Sequence, residues 1–215
     1  MASPMQTALK VQKRALRKAV AATLNTLTSS AVEEQSRAVT EKVLSLPAIR
    51  ECNSISCYLS MESGEVNTSA IVDAILRSNK TLYVPKIKSG DGMDFLRGYS
   101  ADDLASFPAS TWGIREPGDL WEGQKRTSIL GCTGESLDVI LLPGVAFDRT
   151  LSRLGHGKGY YDRFISSYIA SGRKKPLLVG LSLREQLQVT PVPIDESDWK
   201  LDMLVTPDEV IGGVQ

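Results

Sequence analysis

Between residues 153 and 164 the chain reads Arg-Leu-Gly-His-Gly-Lys-Gly-Tyr-Tyr-Asp-Arg-Phe. Gly155, Gly157 and Gly159 alternate with His156 and Lys158, and Arg153 stands just ahead of them. Glycine admits positive φ and lets a ligand come close to the main chain. Directly before a helix, such a run leaves unpaired N–H groups and the positive end of the helix dipole facing one spot. With the charges of Arg153 and Lys158 it spells a cradle for a polyphosphate. A flexible surface loop with stray charges is the plainer alternative, and the spacing leaves both open. The run is G-x-G-x-G rather than G-x-G-x-x-G, and Gly159 follows Lys158 where a Walker loop has Ser or Thr. Neither standard nucleotide motif is present.

Other groups could join this chemistry. Asp162 falls one turn into the expected helix, where a carboxylate could pair with Arg163 or Arg149, or hold a phosphate-bound Mg²⁺. The acidic stretch Asp195–Asp202 offers a second carboxylate source, although acids also suit the solvated first turn of a helix. Near the start of the chain Lys10, Lys13, Arg14, Arg17 and Lys18 recur at helical spacings without an acid among them. An ordinary wet helix face is the default reading there.

The elements that must position these residues can be read from periodicity. Residues 5–27 have a helical repeat of Leu9, Leu16, Val20, Leu24 and Leu27. A second helix is expected over 30–46, with Ser30 and Glu33 as a capping box and Pro47 as its stop. Ile55–Leu59 reads as a strand, Ile71, Ile75 and Leu76 mark a helix, and Thr81 opens another strand, which makes a parallel βαβ unit. From Lys86 to Gly134 the chain reads as loop with one strand at Met93–Arg97, expected to cover one end of the sheet. Leu137–Leu142 is an almost continuous apolar run, the mark of a central buried strand. A helix over 159–171 and strands from Leu177 and Met203 follow. Strands alternating with helices predict a three-layer α/β fold, a mostly parallel sheet with helices on both faces. The 215 residues are expected to form one domain. In such sheets ligands sit at the carboxyl ends of the strands, where the loop after Leu59 and the segment after Leu142 lie.

Composition removes several function classes. Lys+Arg and Asp+Glu both number 25, and zero net charge argues against a general nucleic-acid binder. Three cysteines without a C-x-x-C pair make neither a disulfide framework nor a structural zinc site, and fit a reducing compartment. His156 is the single histidine, which excludes a multi-histidine metal centre and disfavours a Ser-His-Asp triad. No apolar run is long enough to span a membrane, so no membrane association is expected. The basic, acid-free start is not a secretory signal but leaves organelle import open, so a cytoplasmic or mitochondrial location is expected.

The stretch L-L-P-G-V-A-F-D-R-T-L-S-R-L-G-H-G-K-G-Y-Y-D-R resembles the signature of the 5-formyltetrahydrofolate cyclo-ligase (5,10-methenyltetrahydrofolate synthetase) family. The matching positions are Pro143, Gly144, Phe147, Asp148, Arg153, Leu154, Gly155, Gly157, Gly159, Tyr160, Tyr161 and Asp162. Lys13–Arg17, Tyr58–Thr68, Thr111–Pro117 and Val192–Asp198 resemble further family segments in the same order. The resemblance implies an ATP- and Mg²⁺-dependent ligase acting on small molecules, 5-formyltetrahydrofolate and ATP, and a monomer is expected. It implies ATP contacts from Lys13, Arg14 and Arg17 and from the stretch Arg153, Leu154, Gly155, His156, Gly157, Lys158, Gly159, Tyr160 and Tyr161. Lys158 would act on the transferring phosphoryl group. Asp162 and Asp198 would hold Mg²⁺, while Leu59, Met61, Glu65, Trp112 and Tyr160 would hold the folate. His156 departs from the pattern by occupying a slot that is variable in the family. A non-catalytic binder on the same fold, or a sugar-phosphate isomerase or CoA-transferase relative, are the rival readings.

Overall fold

The computed structural model describes residues 4–61, 63–88, 90, 92–109 and 114–213. The chain runs α1 (Pro4–Leu24), α2 (Ser29–Ser45), α3 (Pro47–Glu51), β1 (Ser54–Ser56), α4 (Ser69–Arg77), β2 (Thr81–Lys88), β3 (Gly92–Gly98) and α5 (Ala101–Ala105). It continues through β4 (Leu120–Trp121), β5 (Gln124–Lys125), β6 (Val139–Leu142), β7 (Ala146–Asp148), β8 (Arg153–Leu154) and α6 (Tyr160–Ala170). It closes with β9 (Leu177–Leu181), β10 (Leu187–Gln188), β11 (Met203–Val205) and β12 (Val210–Gly212).

A seven-stranded sheet has the order β12-β11-β9-β6-β1-β2-β3. Its five inner strands are parallel, and the two edges, β3 and β12, run antiparallel to their neighbours. The expected βαβ unit is present, with Ser54 opposite Thr81 in parallel register. Side-chain alternation splits the core into two layers. Val139 and Leu141 pack on one face with Val39 and Val43 of α2 and Ile71 and Ile75 of α4. Ile140 and Leu142 pack on the other with Phe164, Ile165 and Tyr168 of α6. All four β6 residues are buried, as a strand covered on both faces must be.

Several boundaries differ from the sequence expectation; α1 ends at Leu24 rather than 27 and β6 starts at Val139 rather than Leu137, and other differences have a physical reason. The cap of α2 is Thr28, whose side chain accepts from Ala31 N, rather than Ser30, which lies inside the helix. Pro47 does not only stop α2; it starts α3 at a first-turn position, where its missing N–H costs nothing. The strand predicted to end at Leu59 ends at Ser56, because after Cys57 N bonds Tyr83 O the chain turns away toward the ligand edge. The region from Lys86 holds the expected strand, as β3, but it also contributes the last three residues of β2, α5 and the β4–β5 hairpin. Among the described residues no helix is long and apolar enough to cross a membrane.

Asp148 organises the chain just ahead of the glycine run. Its Oδ1 accepts Thr150 N at 2.7 Å, Thr150 Oγ1 at 2.7 Å and Ser152 N at 3.1 Å, and Oδ2 accepts Val192 N at 2.7 Å. Burial alone would raise its pKa; the donors, led by Val192 N, bring it below the ordinary carboxylate value. These bonds hold Leu151 at a φ of 65°, a left-handed conformation that a branched side chain resists. Asp148→Ala is expected to lower the unfolding free energy by about 2 kcal/mol, because buried donors lose a charged acceptor. Urea unfolding checks it. Because the folded pKa is depressed, this contribution is present above the unfolded value and fades as pH falls through it.

Candidate active site

The glycine run connects β8 to α6 and lies at the carboxyl edge of the parallel strands, as expected. Gly159 is the N-cap of α6 at φ 66°, and no side chain caps the helix. Gly157 sits at φ 102° with Arg17 packed against it, so a Cβ there would be 3.4 Å from the guanidinium carbon. Both angles favour glycine, and together they leave the first N–H groups of α6 without side-chain partners, as anion binding needs. The helix carries its own acid, Asp162, in the first turn.

This edge encloses a cavity of about 260 Å³. The loop after β1 supplies Tyr58, Leu59, Met61 and Glu65; β2 and β3 supply Pro85, Ile87 and Met93; Ile114 and Glu116 close one side. Pro143 after β6, then Arg153, Gly155, His156, Lys158, Gly159, Tyr160, Tyr161 and Asp162 form the opposite rim. One half is therefore apolar and aromatic, and the other is cationic. A polar cleft of about 590 Å³ shares Gly159 and Asp162 with it and is bordered by Ser166, Asp198 and Trp199.

The cations are placed by contacts the sequence could not specify. Arg153 is buried and donates to both Asp162 oxygens at 3.1 and 3.0 Å and to Pro143 O at 3.2 Å. Its guanidinium lies 5.7 Å from the Tyr161 ring centroid, and its buried Nε has no hydrogen-bond partner among the described residues. Asp162 thus pairs with Arg153, not with Arg163 or Arg149, and also accepts Trp199 N at 3.0 Å. Lys158 is exposed, and its ammonium has no hydrogen-bond or ion-pair partner among the described residues. His156, also at the rim, has its pKa lowered by partial burial and then by Arg17 and Arg153. Leu154 is a buried core side chain; only its main chain, which accepts Val145 N at 2.7 Å, is available to this region.

Helix α1 brings Lys13 and Arg17 to the same place, since four residues return to one face. Arg17 Nε donates to Gly155 O at 2.8 Å. Lys13 Nζ lies 2.6 Å from both Asp195 Oδ2 and Asp198 Oδ2. These carboxylates more than offset the burial that would lower the Lys13 pKa, and Lys13 in turn holds Asp195 down to about 2. Residues 195–199 form a turn rather than the helix start that acids there would suit. Arg14, a quarter turn from Lys13, is exposed on the outer side with Lys10 and Lys18. The basic cluster therefore divides into an inward pair and a solvated remainder.

On the apolar side Glu65 is 5 % exposed, and its Oε1 accepts Met61 N at 2.7 Å. Burial raises its pKa to about 7 against the opposing pull of that N–H. Burial and then the Glu65 charge push the neighbouring Tyr58 and Tyr161 phenols up. Leu59, Met61, Glu65 and Tyr160 share one cavity; Trp112 lies outside the described residues. Sequence reasoning missed Pro85, Ile87 and Met93 as cavity-lining residues, and it gave no individual role to Tyr58, Ile114, Glu116 or Asp195 within the segments it singled out. The alternation through β2 could have pointed to Pro85 and Ile87, while nothing local marks Met93.

The carboxylates fit a phosphate-bound divalent ion in type. Asp162 and Asp198 border one cleft beside the α6 N-terminus, and Mg²⁺ is ordinarily held by one or two carboxylates plus phosphate oxygens. Among the described residues no group of three or more His, Cys, Asp and Glu could hold a metal by itself.

Comparison with known proteins gives concordant matches. The family model described as "5-formyltetrahydrofolate cyclo-ligase family" matches residues 9–207. A Schizosaccharomyces pombe protein named probable 5-formyltetrahydrofolate cyclo-ligase is 34 % identical over 212 residues, covering 96 % of this chain and 100 % of that one. An Arabidopsis thaliana protein named 5-formyltetrahydrofolate cyclo-ligase, mitochondrial, is 35 % identical, covering 93 % of this chain and 76 % of its own. The solved structure of Aquifex aeolicus 5,10-methenyltetrahydrofolate synthetase superposes with a TM-score of 0.72 at 32 % identity, covering 93 % of this chain and 92 % of that one.

Proposed function

The chain belongs to the 5-formyltetrahydrofolate cyclo-ligase family, and from that premise we propose how its cavity performs an ATP- and Mg²⁺-dependent ring closure. It is a ligase of one-carbon folate metabolism that converts 5-formyltetrahydrofolate to 5,10-methenyltetrahydrofolate. The observation that carries the proposal is the two-sided cavity: an apolar half with one buried carboxylate meets a cationic half built on the α6 N-terminus.

In this reading the pterin enters between Leu59, Met61 and Tyr160 and is oriented by Glu65. The ATP phosphates lie along the glycine run within reach of Arg17, Arg153, Lys158 and Lys13, and the partnerless Nε of Arg153 supplies a buried donor. The formyl oxygen attacks the γ-phosphorus, ADP leaves, and the N5-iminium phosphate is captured by N10, which loses its proton as phosphate departs. A formyl oxygen is a poor leaving group until phosphorylated, so the chain needs no side-chain nucleophile. Its task is to align two ligands and neutralise moving charge. Magnesium, held at Asp162 and Asp198, would neutralise phosphate charge. For Asp162 this means sharing a carboxylate with Arg153.

The experiment is the appearance of methenyl absorbance with 5-formyltetrahydrofolate, ATP and Mg²⁺. ATP binding without product would replace this reading with a non-catalytic binder.

His156 gives a prediction of its own. Although His156 is exposed at the surface, crowding by the protein and then Arg17 and Arg153 lower its imidazole pKa in the free protein, and a bound triphosphate reverses the local field. ATP binding should therefore take up a proton, and affinity should rise several-fold as pH falls from about 8 to 6. Calorimetry in two buffers of different ionisation enthalpy reads that proton. His156→Gln should lose most of it.

A further inference from the structure

The cluster around Arg126 lies outside the seven-stranded sheet, and the mechanism above does not use it. The Arg126 side chain is 2 % exposed and that of Asp103 is 0 % exposed. The pair is bidentate, with NH1 to Oδ2 at 2.6 Å and NH2 to Oδ1 at 2.7 Å. Arg126 also donates to Gly118 O at 3.0 Å, Arg97 O at 2.9 Å and Leu120 O at 3.4 Å. Its guanidinium faces three rings, Phe107 at 5.1 Å, Tyr99 at 5.4 Å and Trp121 at 5.6 Å. Asp103 further accepts Tyr99 N at 2.9 Å. One planar cation thus satisfies acceptors on β3 (Arg97), on α5 (Asp103) and on the stretch leading into β4 (Gly118 and Leu120). Lysine, with a point charge, could not reproduce this fork.

That segment carries Ile114 and Glu116, which wall the cavity on the side of Pro85 and Ile87. Glu116 is two residues from Gly118, whose carbonyl Arg126 holds, and its N–H bonds Pro108 O at 3.1 Å. Its carboxylate lies 3.9 Å from Lys86 Nζ on β2. The main chain of the sheet joins the cluster at Arg97, whose N–H bonds Thr127 O at 2.9 Å. A displaced guanidinium would therefore shift the Ile114–Glu116 wall first, while among the described residues no hydrogen bond or ion pair joins it to β6, β9, β11 or the glycine run.

We propose that Arg126, locked by Asp103, is a positioning residue that sets the cavity wall for the folate substrate and leaves the nucleotide side untouched. The inference rests on the folate occupying the apolar half. Misplacing a wall by a fraction of an ångström acts on the ligand it touches, so the two substrates separate the roles.

The test measures steady-state kinetics of full-length wild type, Arg126→Lys, Arg126→Met and Asp103→Asn against each substrate in turn. Expected is a rise of about tenfold or more in KM for 5-formyltetrahydrofolate in Arg126→Met, with KM for ATP within about twofold. Arg126→Lys, which keeps the charge but not the fork, should fall between wild type and Met. Wild-type turnover establishes the functional reading independently, so its absence would fault that reading rather than this one. With wild type active, an equal rise in both KM values, or no rise in either, overturns the proposal. If Arg126→Met does not fold, the split is read on the other two variants. Failure of all three to fold overturns it as well, because the pair would then serve the whole fold.

Discussion

Lys158→Ala is expected to lower kcat on the order of a hundredfold to a thousandfold, the usual loss when one preorganised donor to developing charge is removed. The Lys158 side chain braces no other described part of the fold. It is exposed and has no partner among the described residues, so its removal leaves no buried group unsatisfied. The urea midpoint and circular dichroism of the variant should match wild type. Its backbone oxygen, which accepts Arg163 NH1 at 2.7 Å, is unaffected by the substitution. Lys158 stands between Gly157 and Gly159 at the lip of the cavity, with its ammonium bonded to no described residue. A charge in that position can follow a phosphoryl group as it leaves ADP, which is a contact made in the transition state rather than in the resting site. Accordingly KM for the folate should change by less than about threefold while kcat falls. Arginine at this position restores charge but not the compact geometry and should recover only part of the rate. A fully active alanine variant would remove Lys158 from the mechanism and leave Arg153 and Arg17 as the groups that meet the γ-phosphate.

Why so much of this site was legible in the sequence, and where legibility ended, has a physical basis. The glycine run is read locally because positive φ at Gly157 and Gly159 is a property of those residues alone. Strand β6 is read locally because burial on both faces demands an unbroken apolar run. The two strands of the β2–β3 ribbon were read, but not their antiparallel pairing or the run of β2 past Pro85. Pro85 normally excludes a central strand. Here β1 pairs with β2 only from Thr81 to Tyr83, so Pro85 lies beyond the end of β1 and has no neighbour to bond on that side. The ribbon then alternates with β3 alone. The ion pairs were equally invisible. Lys13 and Asp195 are 182 residues apart, and nothing in either neighbourhood specifies the other. Asp162 had two nearer-looking arginines to choose from; the turn of the glycine loop selected Arg153.

Glu65→Gln is expected to make the protein more stable at pH 8 and a poorer enzyme, and both effects come from one buried carboxyl group. Its ordinary pKa is 4.5, and in the folded protein burial raises it to about 7. Between those values the folded state binds more protons than the unfolded state. Stability therefore falls as pH rises from about 4.5 to about 7, then levels off. A shift of this size corresponds to roughly 3 kcal/mol across the window. Glutamine carries no titrating proton, so the urea midpoint of the variant should lack this slope and exceed wild type above neutral pH. The fold tolerates an ionised Glu65 at a cost, which is the pattern of a group retained for a ligand. A pterin offers adjacent N–H donors, and a carboxylate accepts two of them where an amide accepts one. Losing a charge-assisted pair should raise KM for 5-formyltetrahydrofolate on the order of a hundredfold. The wild-type KM should improve as pH rises through about 7, in the direction opposite to stability, because binding selects the ionised form that folding disfavours. Single-ligand titrations and urea melts at pH values on either side of that point test both halves with the same two proteins. A glutamine variant that keeps the stability slope would place the titrating group elsewhere, and one that keeps the wild-type KM would remove Glu65 from the pterin.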